Sequence, residues 1–294
     1  MTEIYDYIIG GSGSAGSALA YRLGESGKHR ILVLEYGGSD AGPLIQMPAA
    51  LSYPMNMKRY DWEYLAEAEA SLDDRRLGCP RGKVLGGSSS INGMIYVRGN
   101  AGDYDHWQES GADGWSYADV LPYFRRMEHA HGGAAGWRGS AGPLHVTRGP
   151  RDNPLHAAFV TAATEAGYAA VDDYNGYRQE GFGAADMTVW QGRRWSAANA
   201  YLRPALRRGN VKLVSGALVE KILIDGKTAT GVAYWKAGKR HEVTARVETV
   251  LAAGAINSPQ IMQRSGVGPG AVLQAAGVDV VLDRAGVGAN LQDH

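Results

Sequence analysis

With 294 residues, 45% of them hydrophobic and 20% charged, the chain is long enough for about two domains and has the makeup of an ordinary folded protein. Thirty basic residues balance thirty acidic ones with no long like-charge run, which argues against nucleic acid or an anionic membrane surface as a partner. A single cysteine, Cys79, excludes an internal disulfide, a CxxC redox pair and a thiolate zinc cluster, and it fits a reducing, cytoplasmic setting.

No apolar run approaches the ~18 residues of a membrane span, and the first strand begins so close to Met1 that no signal peptide is expected. Residues 5–10 read as a strand that enters Gly11-Ser12-Gly13-Ser14-Ala15-Gly16, with a small-residue helix from 17 to 23 behind it. A second strand over 31–34 ends on Glu35. This is the G-x-G-x-x-G context of a dinucleotide-binding βαβ unit, with its acid at the expected distance. Gly11 permits the tight turn, Gly13 lets backbone approach a pyrophosphate, and Gly16 lets helix and strand pack closely. The unpaired N–H groups of the first helical turn, at Ser14 and Ala15, then face the phosphates. Glu35 can accept both hydroxyls of an adenosine ribose, and its charge would repel a 2′-phosphate.

Residues 37–80 read as irregular, punctuated by Gly37-Gly38, Pro43, Pro48 and Pro54, and a stretch of that length normally serves a function or wraps something. A glycine/serine loop follows from Gly82 to Gly93. Helices are predicted over 103–110 and 116–129, with Asp103 and Ser116 as N-caps. The Gly/Pro-rich stretch 131–154 is the best linker candidate, and 154–166 reads as helical. A short helix from Ser196 is expected to stop at Pro204. Strands are predicted over 211–214, 218–224, 230–235 and 240–247, with a hairpin turn at Asp225-Gly226. A buried strand over 249–252 turns at Ala253-Gly254-Ala255, and Ser258 with Pro259 is expected to open the next helix.

One dinucleotide carries one pyrophosphate, yet three glycine- or alanine-lined segments, 11–16, 82–93 and 252–255, offer backbone to phosphate. A nicotinamide cofactor leaves in each cycle and needs one open crevice, whereas a flavin dinucleotide stays bound and can be wrapped by distant segments. The distribution favours FAD over NAD. The alternative, an NAD-dependent Rossmann dehydrogenase, leaves the 82–93 loop unexplained.

At these residues the chain resembles the glucose–methanol–choline (GMC) oxidoreductases, FAD-dependent enzymes that oxidise alcohols. Gly82-Lys83-Val84-Leu85-Gly86-Gly87-Ser88-Ser89-Ser90-Ile91-Asn92, with Tyr96, Gly99 and Asp105 downstream, is similar to the family's first signature. Gly254-Ala255-Ile256-Asn257-Ser258-Pro259-Gln260-Ile261-Met262 is similar to its second. Asp61-Trp62-Glu63-Tyr64, the run from Ser196 to Leu202, and Gly288-Ala289-Asn290-Leu291-Gln292-Asp293-His294 resemble further landmarks. The resemblance implies that Val84 and Gly86, Gly87 and Ser88 lie along the flavin and its pyrophosphate. It further implies that Asn92, Gly93, Met94 and Ile95 line the isoalloxazine, that Val219 meets adenine through its backbone, and that Ala253 and Gly254 sit beside the phosphates. Trp62 gains a place next to the cofactor in the same way. Tyr36 stands where the family usually has Ala, and Ile91 stands where some choline oxidases carry a histidine bonded to FAD, so no covalent link is expected there.

The resemblance also implies a substrate that is a small alcohol, an unspecified electron acceptor, and a catalytic base in a C-terminal portion beyond residue 294. His294 belongs to the landmark and is not that base, so the fragment alone is expected to be nearly inert. A hydroxynitrile lyase, which keeps FAD without net redox chemistry, and a non-catalytic flavin-binding half are the rival readings. The predicted fold class is α/β: a Rossmann-type FAD-binding domain with a βαβ dinucleotide unit and an added β-meander, plus the start of a second, substrate-binding domain. Residues 1–153 and 195–294 are assigned to the first domain and 154–194 to the start of the second.

Other chemistries find little support. His129 and His131 lack a nearby acid or cysteine and read as a surface pair, and His106, His145 and His156 show no metal spacing, so no metal is expected. No G-x-S-x-G, H-E-x-x-H or Walker A run occurs. Cys79, beside Pro80, reads as a packing residue, and Trp107 and Trp115 as core or interface aromatics.

Overall fold

A computed structural model describes residues 3–292; Asp293 and His294, the end of the last landmark, lie outside them. The chain forms two compact units. One holds the described residues up to 46, 50–91 and those from 196 onward; the other holds 47–49 and 92–195.

The first unit is built on six strands: β1 (Ile4–Gly10), β2 (Ile31–Glu35), β3 (Val211–Ser215), β4 (Leu218–Asp225), β5 (Thr228–Lys236) and β6 (Lys239–Leu251). They lie in the order β3-β2-β1-β6-β5-β4. The first four in that order run parallel, and β6, β5 and β4 form an antiparallel meander. Alternation along the strands splits the core between the two faces. Ile8, Leu32 and Leu34 join Val232, Val243 and Ile261 on one face, and Ile9, Ile31 and Val33 join Ala20 and Val211 on the other. Helix α1 (Ser14–Leu23) supplies Ala20 and helix α2 (Gly254–Arg264) supplies Ile261, so both faces are covered, as a parallel core requires. Each fully buried Ile, Leu or Val contributes about 1.5–3 kcal/mol.

This arrangement is the α/β, Rossmann-type fold with a meander that the sequence implies, and three local readings change. The predicted strands over 240–247 and 249–252 are one strand. Up to Thr244, β6 pairs antiparallel with β5, and from Thr244 it pairs parallel with β1, with a bulge opposite Tyr5 and Tyr7. The polar residues that interrupt the apolar run lie at that change of partner. Pro204 does not stop a helix: a π-helical turn, Ala198–Leu202, runs directly into the helical turn Arg203–Leu206, which contains Pro204. Helix α2 begins at Gly254, and Ser258 with Pro259 lies inside it. Ser258 Oγ still serves the helix start by accepting the Ala253 N–H at 3.1 Å.

In the second unit, helices Ala101–Glu109 and Tyr117–Met127 are N-capped by Asn100 and Ser116, so the first cap is Asn100 and not Asp103. Helix Pro154–Glu165 is capped by Asn153. Strand Leu144–Arg148 pairs parallel with Glu128–Ala130 and antiparallel with Asp186–Met187. The glycine-rich stretch expected to be a linker is therefore folded into the unit. Its glycines serve close backbone approach: a Cβ on Gly139 would lie 1.8 Å from the Arg125 carbonyl oxygen. All three clusters of buried apolar side chains lie in the first unit. The second is centred instead on Arg98, Arg138, Glu128, Asp173 and Asp186.

Candidate dinucleotide site

The parallel register places Gly10 beside both Leu34 and Leu251, so β1, β2 and β6 end together at one edge of the sheet. A cavity of about 790 Å³ opens there, outside the carboxyl ends of the strands, where open α/β sheets bind ligands. Two helices begin at its wall. The N-cap of α1 is Gly13 and that of α2 is Ala253; neither N-cap residue caps its helix with its own side chain, Ser258 Oγ taking only the Ala253 N–H, and neither first turn contains an acidic residue. Two sets of backbone N–H groups and two positive dipole ends thus meet one cavity, a combination suited to an anion.

Glycine backbone makes the cavity narrow. Gly11 has φ +111°, and a Cβ there would lie 2.4 Å from the Ala252 carbonyl oxygen. A Cβ on Gly16 would lie 1.9 Å from the Gly11 oxygen, which is why α1 can pack so tightly on its own entry turn. Gly13 and Gly87 touch across the site: a Cβ on Gly87 would come within 2.7 Å of Gly13 Cα. The Gly86 N–H donates to Ser12 O at 3.0 Å. The loop at 82–88 is therefore fastened to the first glycine turn although more than sixty residues of sequence separate them.

Of the residues singled out in the sequence, Gly11, Gly13, Ser14, Ala15, Glu35, Trp62, Gly87, Ser88, Val219, Ala253 and Gly254 all line this one cavity. Gly16 lies behind the turn. Gly86 caps the short helical turn Gly87–Ser90, and Val84 is fully buried with Ile45, Tyr60 and Ile91. Asn92, Gly93, Met94 and Ile95 belong to the second unit. There Asn92 Oδ1 accepts from the Met94 N–H and from Arg194 Nη1, Met94 is buried with φ +65°, and Ile95 is exposed.

Glu35 is almost fully buried at the end of β2. Its Oε2 accepts from the Ser12 N–H (2.8 Å) and Oγ (2.9 Å), and its Oε1 accepts from the Gly37 N–H (2.7 Å). Burial raises its pKa, and the bonds from Ser12 and Gly37 offset only part of that. Three donors leave about one of the four acceptor positions of a carboxylate for a ligand hydroxyl.

Sequence reasoning missed an aromatic wall. Tyr36 stacks on Trp62 (5.1 Å between centroids) and Trp62 stacks on Tyr64 (6.1 Å), with all three lining the cavity. The Tyr64 hydroxyl donates to Asn257 Oδ1 at 2.6 Å, which ties this wall to α2. Lys83 lies over the Trp62 ring, and Arg81 and Arg264 also reach the lining. The signal was available in part, since Tyr36 stood out as a departure and Trp62-x-Tyr64 as a landmark; the fold adds the meeting of Tyr36, at the end of β2, with Trp62.

The family described as GMC oxidoreductase matches residues 5–294. The chain is 61% identical over 289 residues to the oxygen-dependent choline dehydrogenase of Brucella anthropi, covering 98% of this chain and 52% of that protein. It is 60% identical to the protein of the same name from Rhizobium johnstonii, with the same coverage of both chains. The solved structure of pyridoxine 4-oxidase from Mesorbium loti matches 95% of this chain and 55% of its own, with a TM-score of 0.90 and 34% identity. A formate oxidase from Aspergillus oryzae RIB40, studied for FAD modification, matches 96% and 51%, with a TM-score of 0.88 and 26% identity. The chain spans about half the length of the curated relatives it matches (52%).

Proposed function

Because the chain belongs to the GMC oxidoreductase family, as its N-terminal portion, we propose that it holds the FAD of an enzyme that oxidises an alcohol CH–OH group. The observation that carries this reading is the convergence of two helix N-termini, the Gly13–Gly87 contact and Glu35 on one cavity. These residues fit a dinucleotide, because a wall of glycine backbone leaves room for a pyrophosphate that any Cβ would take away.

Bound FAD supplies a flavin ring that accepts the hydride from the carbinol carbon. The N–H groups at Ser14, Ala15 and the start of α2 neutralise the phosphates, while Gly87 and Ser88 face them from the 82–88 loop. Glu35 holds one ribose hydroxyl at its remaining acceptor position and disfavours a 2′-phosphate. Val219 offers backbone to adenine, with Trp62 and its stacked tyrosines as an adjoining wall. The roles of Val84, Gly86, Asn92, Gly93, Met94 and Ile95 toward the flavin rest on the family signature. No residue lining the cavity is assigned as the alcohol's base, a role worth about 10²–10⁴-fold in rate. The relatives' names favour an alcohol of the choline kind as substrate.

No helix among the described residues is long and apolar enough to cross a membrane. The lone Cys79 suits a reducing compartment, and we place the protein in the cytoplasm. Calorimetric titration tests the cofactor: the chain takes up one FAD and leaves NAD unbound. Uptake of NAD with no uptake of FAD overturns the proposal.

A further inference from the structure

Three histidines that take no part in the cofactor cavity come together in the second unit. His129 and His145 are direct partners in the parallel pairing of Glu128–Ala130 with Leu144–Arg148. His131 follows two residues after His129, and its N–H donates to Val146 O at 2.9 Å, so the pairing continues and all three side chains fall on one face. The rings lie 4.6, 4.8 and 5.1 Å apart between centroids. Trp190 lies flat against His131 and His145, at 3.9 and 4.6 Å, and Trp195 meets His145 edge-on. One nitrogen from each histidine falls within 4.8 Å of the others, the one such cluster of potential ligands among the described residues.

We propose that His129, His131 and His145 form a binding site for a borderline divalent transition cation of the zinc or copper class. Imidazole suits these metals, and three protein nitrogens leave a fourth position for water or another ligand. A tetrahedral zinc ion with bonds of about 2.0–2.1 Å sets its nitrogens ~3.3 Å apart. His131 Nε2 and His145 Nδ1 already stand 2.8 Å apart in a hydrogen bond, and one nitrogen from each of the three rings lies within 4.8 Å of the others. The tryptophans frame the cluster: Trp190 stacks on one side of it and the Trp195 indole N–H donates to Pro143 O at 2.9 Å. The linear sequence hid the site because His145 joins the His129-x-His131 pair only through strand pairing.

The competing account is a hydrogen-bonded stack that only packs against Trp190, and metal titration separates the two. The FAD-loaded chain, prepared without a histidine tag, is titrated with ZnCl₂ by calorimetry and given one equivalent of Cu²⁺ for EPR. The expected results are a single zinc site and a copper spectrum split by several imidazole nitrogens. In His145→Ala and His129→Gln the zinc affinity falls roughly a hundredfold, an effect as large as that of losing an outer partner of a metal-binding histidine. Flavin uptake and far-UV circular dichroism stay unchanged. If His145→Ala fails to fold, the near-isosteric His129→Gln carries the test. Absence of stoichiometric zinc binding, or unchanged affinity in the folded variants, overturns the proposal.

Discussion

The two units are held together by different physics. Around the dinucleotide cavity, backbone lies against backbone over an apolar sheet, with glycines wherever a methyl group would collide. In the second unit the centre is ionic. Arg98 Nη2 donates to Glu128 Oε1 at 2.7 Å, and Arg138 reaches Glu128 (2.9 Å), Asp173 (2.7 Å) and Asp186 (2.7 Å). Arg148 adds a third guanidinium opposite the three carboxylates, at 3.3 Å from Asp186. A framework of the first kind fails through added volume, and one of the second kind through lost charge. The shape of a binding site can thus be fixed by glycines while a neighbouring fold is fixed by ion pairs.

The largest expected effect comes from breaking the ionic centre. Burial acts to lower the Arg138 pKa, but the bonds to Glu128 and Asp186 and the surrounding negative charge outweigh it, so the guanidinium stays charged. Arg138→Met leaves the buried carboxylates Glu128 and Asp186 and the half-buried Asp173 with two arginines, and is expected to cost about 3–5 kcal/mol in urea unfolding. A loss below about 1 kcal/mol would mean that the pairs merely decorate a fold held by other contacts.

Next comes added volume at the glycine framework. Gly16→Ala pushes a methyl group to 1.9 Å from the Gly11 oxygen and 3.3 Å from Ala252 Cβ, so the turn must shift. Overpacking of this kind costs about 1–3 kcal/mol, and FAD affinity measured by calorimetry should fall by a comparable factor. Gly13→Ala is the sharper control. Its Cβ would sit 3.8 Å from Gly87 Cα, an ordinary contact, so the unliganded protein should keep its stability while FAD binding weakens. Equal effects of the two substitutions on unliganded stability would contradict the division between framework and ligand wall.

These contrasts also mark what could be read from the sequence. The βαβ unit was legible because strand period, glycine spacing and Glu35 are all local, and the meander because its strands alternate around a clear turn at Asp225-Gly226. A meeting of the segments at 11–16, 82–93 and 252–255 was legible as a need, since one pyrophosphate cannot use three distant segments otherwise; of the second segment the cavity takes only Gly82, Gly87 and Ser88, and Asn92 and Gly93 belong to the other unit. The ionic centre was not. Glu128, Arg138, Asp173 and Asp186 are ordinary charged residues in sequence; the ladder from Glu128–Ala130 to Asp186–Met187 brings Glu128 and Asp186 near each other, and Arg138 and Asp173 join them from loops. The aromatic wall and the histidine face escaped because each joins residues far apart in sequence, Tyr36 to Trp62 and His145 to His129.

Acid should move the two units in opposite directions. Burial raises the Asp173 carboxyl, but the Ala134 N–H and Arg138 outweigh it, and its pKa ends below the ordinary aspartate value. A lowered folded pKa gives stability that is present above the unfolded value of ~3.9 and is lost as pH falls through the folded value, at about 1.4 kcal/mol for each tenfold change in proton affinity on folding. Glu35 is the reverse case, raised chiefly by burial. Its contribution is full below the unfolded value of ~4.3 and is lost as pH rises through the folded one. Amide exchange followed by mass spectrometry, corrected for intrinsic rate, should show loss of protection around Asp173 below about pH 4, while the segment around Glu35 loses none of its own until other groups titrate. Parallel loss in both segments from the start would remove the distinction.

The smallest effect tests the seam between the aromatic wall and α2. Burial is the main cause raising the Tyr64 pKa, so the phenol is neutral at pH 7 and donates to Asn257 Oδ1. Tyr64→Phe keeps the ring on Trp62 but removes that donor, and an ordinary hydrogen bond contributes about 0.5–1.5 kcal/mol. Thermal melts of the unliganded protein should show a loss within that range. Asn257 is the fourth residue of α2, and its side chain then loses the one link that binds it to the strand at Tyr64–Leu65. FAD affinity should therefore fall, but by less than in Gly13→Ala, because the glycine wall and both helix starts stay in place. If Tyr64→Phe weakens FAD more than Gly13→Ala does, the aromatic wall contributes more to binding than the backbone cradle, and the order of importance drawn from the glycines reverses.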